Sequence, residues 1–302
     1  MIDLAIIPVA GRGTALLPLT KSQPKEMLPV GGKPVVQHVV EELIQCRLNR
    51  FLFITGPGKT AIEDHFDINN ELIRYLRLNG KEDLLAELAF EREEAEYFYT
   101  RQRHQSGLGH AVLCAEPFVH GHRFVVALGD TILGRYTSSG IVRRMIDLFE
   151  RNSSEIKGII AFDEVPRNEV IHYGIAKPKE WSGDFFELDD IVEKPIADET
   201  PSNLAVAARY IFTPDIFDYL RRTEPGNDGS IQLTDAISLM IRDHKKILGV
   251  RLPPGEYRYD IGSFESYYKA FLDFALHDPI YGNTLKKLVT ESAASGLLPK
   301  RQ

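Results

Sequence analysis

Cysteine, tryptophan and methionine are scarce in this chain of 302 residues, which contains two, one and four of them. Cys46 and Cys114 lack C-x-x-C spacing, which favours buried, reduced thiols over a disulfide or a thiolate metal site. Basic residues are outnumbered by acidic ones, 36 against 43, and the net charge of -7 argues against a nucleic-acid partner. No apolar run approaches the roughly 18 residues of a membrane-spanning helix, and no signal-peptide pattern is visible. We therefore expect a cytoplasmic protein with no membrane partner.

Buried strand patterns alternate with helix patterns through the first two-thirds of the chain. Such alternation predicts an α/β fold with a Rossmann-like, doubly wound, mostly parallel (mixed) sheet that binds ligands at the carboxyl ends of its strands. The strand patterns are Leu4–Val9, Arg50–Thr55, Ala95–Thr100 and Arg123–Leu128, and the helix patterns are Pro34–Cys46, Lys59–Phe66, Asn70–Glu93 and Gly107–Ala115.

The pattern changes after about residue 135, where short strands and turns dominate. The predicted strands there are Ile159–Phe162, Gly174–Lys177, Phe186–Glu193 and Ala205–Phe212, and Ser263–Leu288 has a helical pattern. Because no repeat, low-complexity tract or linker separates these parts, we expect a single domain over residues 1–302. It would consist of one lobe over about 1–135, a second over about 136–262 and C-terminal helices over about 263–302.

The loop from Ala10 to Pro29 has the composition of a polyanion-binding segment. It follows the first predicted strand and contains two glycines, a threonine and two lysines, Lys21 and Lys25. Such a loop can direct several backbone N–H groups and two ammonium groups at one triphosphate.

Two glycine-rich segments imitate other phosphate-binding motifs and fail on a required position. Gly56–Thr60 resembles the end of a P-loop, but Phe53 stands where that motif needs glycine, so a turn and a helix start are favoured. Gly11–Gly13 resembles the start of a dinucleotide-binding motif, but Leu16 occupies the third glycine position and Pro18 follows. A dehydrogenase is therefore disfavoured.

A series of short motifs runs in order from about residue 4 to 275. It comprises Gly11-x-Gly13-Thr14-Ala15-x-Leu17-Pro18-x-Thr20-Lys21, Pro24-Lys25-Glu26-Met27-Leu28-Pro29, Arg101-Gln102, Gly107-Leu108-Gly109-His110-Ala111-Val112, Gly129-Asp130, Tyr173-Gly174, Val192-Glu193-Lys194-Pro195, Ser202-Asn203-Leu204-Ala205, Arg209-Tyr210, Ile231-Gln232-Leu233-Thr234-Asp235-Ala236 and Tyr259-Asp260-x-Gly262. Together they resemble the bacterial UTP–glucose-1-phosphate uridylyltransferases, within the sugar-nucleotidyltransferase superfamily.

The resemblance implies the nucleotidyltransferase fold and the reaction of UTP with glucose 1-phosphate to give UDP-glucose and pyrophosphate. The first lobe would bind the nucleotide, the second the sugar, and the protein would be a homo-oligomer (a dimer or a tetramer). A thymidylyl- or cytidylyltransferase of the same fold is the alternative enzyme. A non-catalytic UDP-sugar sensor is the alternative from another class, and it would not need paired metal-binding carboxylates.

The resemblance also implies the residues that handle the phosphates. Asp130 and Asp260 are expected to hold Mg²⁺, which prefers oxygen ligands and commonly takes one or two protein carboxylates. Lys25 would contact the triphosphate, Lys194 would contact the sugar phosphate or the α-phosphate, and Lys21 would add charge to the loop.

The remaining contacts divide between the base and the sugar. The nucleotide would lie against Ala10, Gly11, Gly13, Thr14, Glu26, Gln102 and Gly107, and the sugar would be bound by Gly174, Glu193 and Asn203. His110 is expected to be a structural cap at the start of a helix. A glutamine amide can pair with an N–H and a carbonyl together, and a glycine permits close approach of a sugar ring.

One position departs from the family pattern. Ala15 stands where the resembling family has a catalytic arginine, which would be expected to contact the outer phosphates. Loss of such a preorganised donor typically costs about 10²–10³ in rate. The sequence favours the hypothesis that this chain is an engineered, catalytically weakened variant, and the alternative is that Arg12 supplies the missing charge.

Overall fold

The computed structural model describes residues 2–92, 94–136, 138–226 and 228–295. The strands are β1 (Leu4–Pro8), β2 (Pro29–Val30), β3 (Lys33–Pro34), β4 (Arg50–Thr55), β5 (Glu96–Arg101), β6 (Phe124–Ala127), β7 (Thr131–Gly134), β8 (Ile156–Glu164), β9 (Gly174–Ser182), β10 (Phe185–Glu193), β11 (Leu204–Phe212), β12 (Lys246–Arg251) and β13 (Tyr257–Asp260). The α-helices are α1 (Val35–Gln45), α2 (Thr60–Phe66), α3 (Asn70–Leu78), α4 (Gly107–Leu113), α5 (Glu116–Val119), α6 (Ile141–Arg151), α7 (Ile216–Arg222), α8 (Leu233–Arg242), α9 (Phe264–Leu276) and α10 (Gly282–Ala294). Short 3-10 segments cover Thr14–Leu16, Leu19–Lys21, Lys25–Met27, Glu82–Arg92 and Arg167–His172.

A mixed central sheet draws strands from both parts of the chain, in the order β5-β4-β1-β6-β11-β8-β12-β10-β9. The first four strands are parallel to their neighbours. Beyond β6 the sheet is antiparallel except for the β12–β8 pair. The α/β class and the mixed sheet predicted from the sequence are therefore confirmed, but the sheet is not mostly parallel, because the strands that follow β6 in the sheet order pair mainly in the antiparallel sense.

Side chains of the central strands alternate between two apolar layers, as the two-residue period of a strand requires. In β1, Ala5 and Ile7 pack on the side of α1 and α6, whereas Leu4 and Ile6 pack on the side of α4, α7 and α8. Helix α1 contributes a stripe of Val36, Val39, Val40 and Leu43 to its layer, the spacing of an amphipathic helix. The sheet is thus covered on both faces, and its strand ends remain available for a site.

The predicted helix over Asn70–Glu93 is partly wrong. Helix α3 ends at Leu78, and Gly80 follows with a φ of 64°, a conformation that glycine adopts readily and that commonly ends helices. A 3-10 segment then covers Glu82–Arg92, and Glu93 lies outside the described residues.

Strands β7 and β13 form a separate antiparallel ribbon that the sequence patterns did not predict. The register places Asp260 opposite Thr131. The C-terminal helical pattern corresponds to α9 and α10, and residues 296–302 lie outside the described part. Among the described residues, no helix is both long and apolar enough to cross a membrane.

Candidate active site

Two cavities meet at the carboxyl ends of the central strands. The first cavity, of about 460 Å³, is bounded by the loop after β1, the loop before α4 and residues 228–232. The second cavity, of about 330 Å³, is bounded by β9, β10, β13 and α8. Lys25, Asp130 and Gln232 line both cavities, so a group bound in one can react with a group bound in the other at this junction.

Most of the residues predicted to act in the site line these cavities. Ala10, Gly11, Glu26, Gln102 and Gly107 line the first, Gly174, Glu193, Lys194 and Asp260 line the second, and Lys25 and Asp130 line both. Gly13, Thr14, Ala15 and Asn203 are not among the lining residues of either cavity.

The four residues away from the cavity walls have local surroundings of their own. The Gly13 carbonyl accepts a hydrogen bond from the Thr20 hydroxyl at 2.7 Å. Gly13 has a φ of 66° and directly precedes the 3-10 turn that contains Thr14 and Ala15. Both of these residues are exposed. Asn203 is exposed just before β11, and its carbonyl accepts from the Val165 N–H at 3.0 Å.

Lys25 and Asp130 form an ion pair where the two cavities meet. Lys25 begins the 3-10 turn after Pro24. The negative charge of Asp130 raises the pKa of Lys25, although burial of the ammonium group acts to lower it. Burial acts to raise the pKa of Asp130, but the Lys25 charge and hydrogen bond outweigh it and hold that pKa below its ordinary value. Both groups are therefore charged at neutral pH.

The ribbon of β7 and β13 brings Asp260 beside Asp130. The Ile261 N–H donates to the Asp130 carbonyl at 2.9 Å. Burial and the charge of Asp130 raise the pKa of Asp260 to about 6, against the opposing charges of Arg258 and Lys25. Two carboxylates thus lie in one half-buried site, where their mutual repulsion favours a cation between them.

The donor set suits a hard divalent cation. A Cβ added at Gly262 would lie 3.3 Å from one Asp260 oxygen and 3.6 Å from the other, so glycine leaves this carboxylate uncovered. Among the described residues, no three His, Cys, Asp or Glu side chains are grouped to hold a metal ion. A cation here would therefore need further oxygen ligands from substrate phosphates or water, a pattern typical of Mg²⁺.

Glu26 is held by a lysine that the sequence analysis did not assign to the site. Lys59 Nζ lies 2.7 Å from Glu26 Oε2, and the two residues are 4% and 1% exposed. Burial raises the pKa of Glu26, while Lys59 and Lys25 oppose that rise. Lys59 directly precedes α2, so the favoured interpretation of Gly56–Thr60 as a turn and helix start is confirmed. No sequence motif links Lys59 to Glu26.

Gln102 is buried and fixed by the segment that follows it. Its amide nitrogen lies 3.0 Å from the Gly107 carbonyl and 2.9 Å from His110 Nδ1. The predicted role of His110 as a helix cap is wrong, because His110 is the fourth residue of α4 and Ser106 occupies the N-cap position. The helix start also docks on Ile231, whose N–H donates to Ser106 and whose carbonyl accepts from Gly109, each at 2.8 Å.

The second cavity holds a glutamate between two elements. Glu193 Oε2 accepts from the Thr234 hydroxyl at 2.5 Å, and Gly174 faces Glu193 across β9 and β10. A Cβ added at Gly174 would lie 2.8 Å from Thr234 Cγ2 and 3.3 Å from Glu193 Oε2, so only glycine leaves this corner open. Lys194 Nζ lies 3.7 Å from Glu193 Oε1.

Arg258, also missed by the sequence analysis, fixes the wall beside Asp260 and Asp130. It donates to the Val206 carbonyl at 2.7 Å, and its guanidinium carbon lies 3.8 Å from the centre of the Tyr173 ring. Arg258 lies two residues before Asp260 in β13, and this spacing was the sequence signal that could have placed it near the site.

Comparison with known proteins agrees with the motif series. The family model described as nucleotidyl transferase matches residues 4–276. A UTP–glucose-1-phosphate uridylyltransferase of Staphylococcus haemolyticus is 40% identical over 295 residues, covering 96% of this chain and 98% of that protein. The corresponding protein of Staphylococcus epidermidis is 39% identical over 290 residues, with the same coverage.

Solved structures give the same result. The UTP-bound UGPase from Acinetobacter baumannii superposes with a TM-score of 0.87 at 35% identity, covering 96% of this chain and 99% of that one. A UDP-glucose pyrophosphorylase complexed with UDP-glucose gives 0.79 at 36% identity, covering 89% and 97%. The resemblance and the fold inferred from the motifs are confirmed: the chain belongs to the nucleotidyl transferase family.

Proposed function

We propose that this protein transfers a uridylyl group from UTP to glucose 1-phosphate, producing UDP-glucose and pyrophosphate. The observation that carries the proposal is the junction of two cavities at Lys25, Asp130 and Gln232. One cavity has the size and the glycine-lined wall for a nucleotide, and the other presents hydroxyl-binding groups. The names of the relatives and the ligands in their structures support UTP and glucose 1-phosphate as the two substrates.

In this reaction, a phosphate oxygen of the sugar attacks the α-phosphorus of UTP, and the bond to the bridging oxygen of the β-phosphate breaks. Two anions must come together, so charge neutralisation and alignment supply most of the rate. Lys25 would contact the triphosphate at the junction, and Lys194 would contact the sugar phosphate or the α-phosphate. Asp130 and Asp260 would hold Mg²⁺, which when bound would neutralise phosphate charge.

The two cavities would orient the substrates by different contacts. Gln102, fixed by His110 and the Gly107 carbonyl, would read the base edge or the ribose, and Glu26 would lie beside it with its charge balanced by Lys59. In the second cavity, Glu193 would accept hydrogen bonds from sugar hydroxyls.

A pyrophosphate-release assay over four nucleoside triphosphates and several sugar 1-phosphates tests this proposal. We expect turnover with UTP and glucose 1-phosphate, its loss on chelation of divalent cations, and its loss in Asp130→Asn. Preference for thymidine or cytidine triphosphate would overturn the base assignment. Tight UDP-glucose binding without turnover, retained in Asp130→Asn, would instead identify a sensor.

We also propose a homo-oligomer whose interface includes the C-terminal helices. Large apolar side chains stand exposed on α9, α10 and their connection, and Ile280 and Tyr281 are 75% and 65% exposed. Such a patch is typical of a protein interface. Light scattering after chromatography should show a dimer or tetramer that Ile280→Asp weakens, whereas Ile68→Asp, at an exposed isoleucine on the nucleotide side, serves as the matched control.

A further inference from the structure

Arg12 is a cation of the first cavity whose charge is not compensated. Arg12 and Lys25 are the cationic residues among those that line this cavity. Lys25 is paired with Asp130, and Glu26 is paired with Lys59. Arg12 forms no ion pair with any described residue, so its positive charge is available to an anionic ligand.

A neutral side chain holds Arg12 at the cavity. Gln105 Oε1 accepts a hydrogen bond from Arg12 Nε, and Gln105 Nε2 donates to the Ala10 carbonyl at 2.6 Å. Within the described part of the chain, neither terminal nitrogen of the guanidinium has a hydrogen-bond partner. The amide thus ties the arginine to the β1 loop without cancelling its charge, and both terminal nitrogens remain available to donate to phosphate oxygens. A guanidinium can bind phosphate through two parallel hydrogen bonds.

Position 15 offers no such group. Ala15 is exposed in the 3-10 turn after Gly13, and it is not among the residues that line either cavity. The uncompensated positive charge that reaches the first cavity from this loop comes from Arg12 instead, because Lys25 is paired with Asp130.

We propose that Arg12 binds the outer phosphates of the bound triphosphate and the pyrophosphate that leaves. This inference rests on the proposed function. When the sugar phosphate oxygen bonds to the α-phosphorus, the bond from that phosphorus to the bridging oxygen breaks, and its electron pair stays on pyrophosphate. The guanidinium neutralises that developing charge without exchanging a proton. Ala15 in this chain is then compatible with turnover.

Kinetics and calorimetric binding on the full chain test the proposal with Arg12→Ala, Arg12→Lys and the exposed-arginine control Arg77→Ala. We expect Arg12→Ala to lower kcat/KM for UTP about 10²-fold, within the range for loss of one preorganised donor. Binding of UTP and pyrophosphate should weaken, while UDP-glucose, which lacks the outer phosphates, should bind within about twofold of the unchanged protein. Arg12→Lys should recover part of the loss, and Arg77→Ala should show none.

The double variant Arg12→Ala/Ala15→Arg provides a second test, because it restores a guanidinium group to the same loop. Partial recovery of kcat/KM would support a charge role rather than a folding role for Arg12. Circular dichroism and melting temperature check that Arg12→Ala folds.

Three outcomes would overturn the inference: unchanged kinetics in Arg12→Ala, equal weakening of UTP and UDP-glucose binding, or the same loss in Arg77→Ala. Failure of the proposed function gives a different result. In that case the unchanged chain releases no pyrophosphate with any substrate pair, yet calorimetry with UTP and inorganic pyrophosphate still shows whether Arg12 binds the outer phosphates.

Discussion

Replacement of Lys59 by methionine should destabilise the protein by about 3–5 kcal/mol, the cost of breaking a buried pair by removing one partner. The substitution keeps most of the side-chain volume and removes only the charge. It leaves the Glu26 carboxylate, 1% exposed, without the ammonium group that lies 2.7 Å away. Lys25 also attracts Glu26, so we expect a value near the lower end of this range.

The loss should depend on pH. Burial raises the folded-state pKa of Glu26, and Lys59 opposes that rise, so Lys59→Met should raise it further. A carboxyl group with a higher pKa in the folded than in the unfolded state binds protons preferentially when folded, and stability then falls as pH rises. The difference in unfolding free energy between the unchanged protein and Lys59→Met should therefore be larger at pH 8 than at pH 5.

Urea unfolding followed by circular dichroism measures this difference at both pH values. The double variant Lys59→Met/Glu26→Gln should recover most of the stability, because no unpaired charge is left buried. A loss below about 1 kcal/mol that is equal at the two pH values would refute the reasoning. So would a double variant as unstable as the sum of the single variants.

Three further changes address other parts of the site's framework. Arg209→Met should lower the free energy of unfolding by about 3–5 kcal/mol, because it leaves buried Glu42, whose Oε2 lies 2.6 Å from the guanidinium, without its ion-pair partner. Urea unfolding should show that adding Glu42→Leu recovers this stability. Gly107→Ala should cost at least about 1–2 kcal/mol, since its φ is 88° and the new Cβ would lie 2.6 Å from the Ile231 carbonyl; equal stability would contradict this. Burial lowers the pKa of His38 from 6.5, so protons bind the unfolded state preferentially and stability should fall as pH drops below about 6.5. His38→Gln should show a smaller decline in unfolding experiments at pH 5 and pH 7.5.

Local patterns were sufficient for the buried parallel strands in the first half of the chain. Arg50–Thr55 was predicted with its observed bounds, because a strand buried on both faces is a continuous apolar run between turns. The ribbon of β7 and β13 was not predicted, since each strand is only four residues long and its partner lies more than 120 residues away. Short strands of this kind are specified by pairing rather than by their own sequence.

The candidate site divides in the same way. The residues in recognisable motifs, such as Lys25 and Glu193, line the cavities as expected. The residues that hold or balance them, such as Lys59 and Arg258, lie in no motif that announces the contact. Their roles depend on which charge folding places beside them, and local sequence patterns do not show that pairing.

The sequence by itself determined that the loop from Ala10 to Pro29 would follow a buried strand and present glycine and lysine to an anion. Glycine and proline act on the local backbone conformation, and the lysine charges are carried by the loop itself. Only the tertiary structure decided which charges remain available there. The β7–β13 register places Asp260 beside Asp130. Asp130 forms an ion pair with Lys25, and Glu26 forms one with Lys59. Arg12 donates a hydrogen bond to the neutral side chain of Gln105, so its positive charge remains available. Electrostatic pairing depends on distance in space, and folding brings Asp260 within reach of Asp130 and Lys25, which lie 130 and 235 residues earlier in the chain.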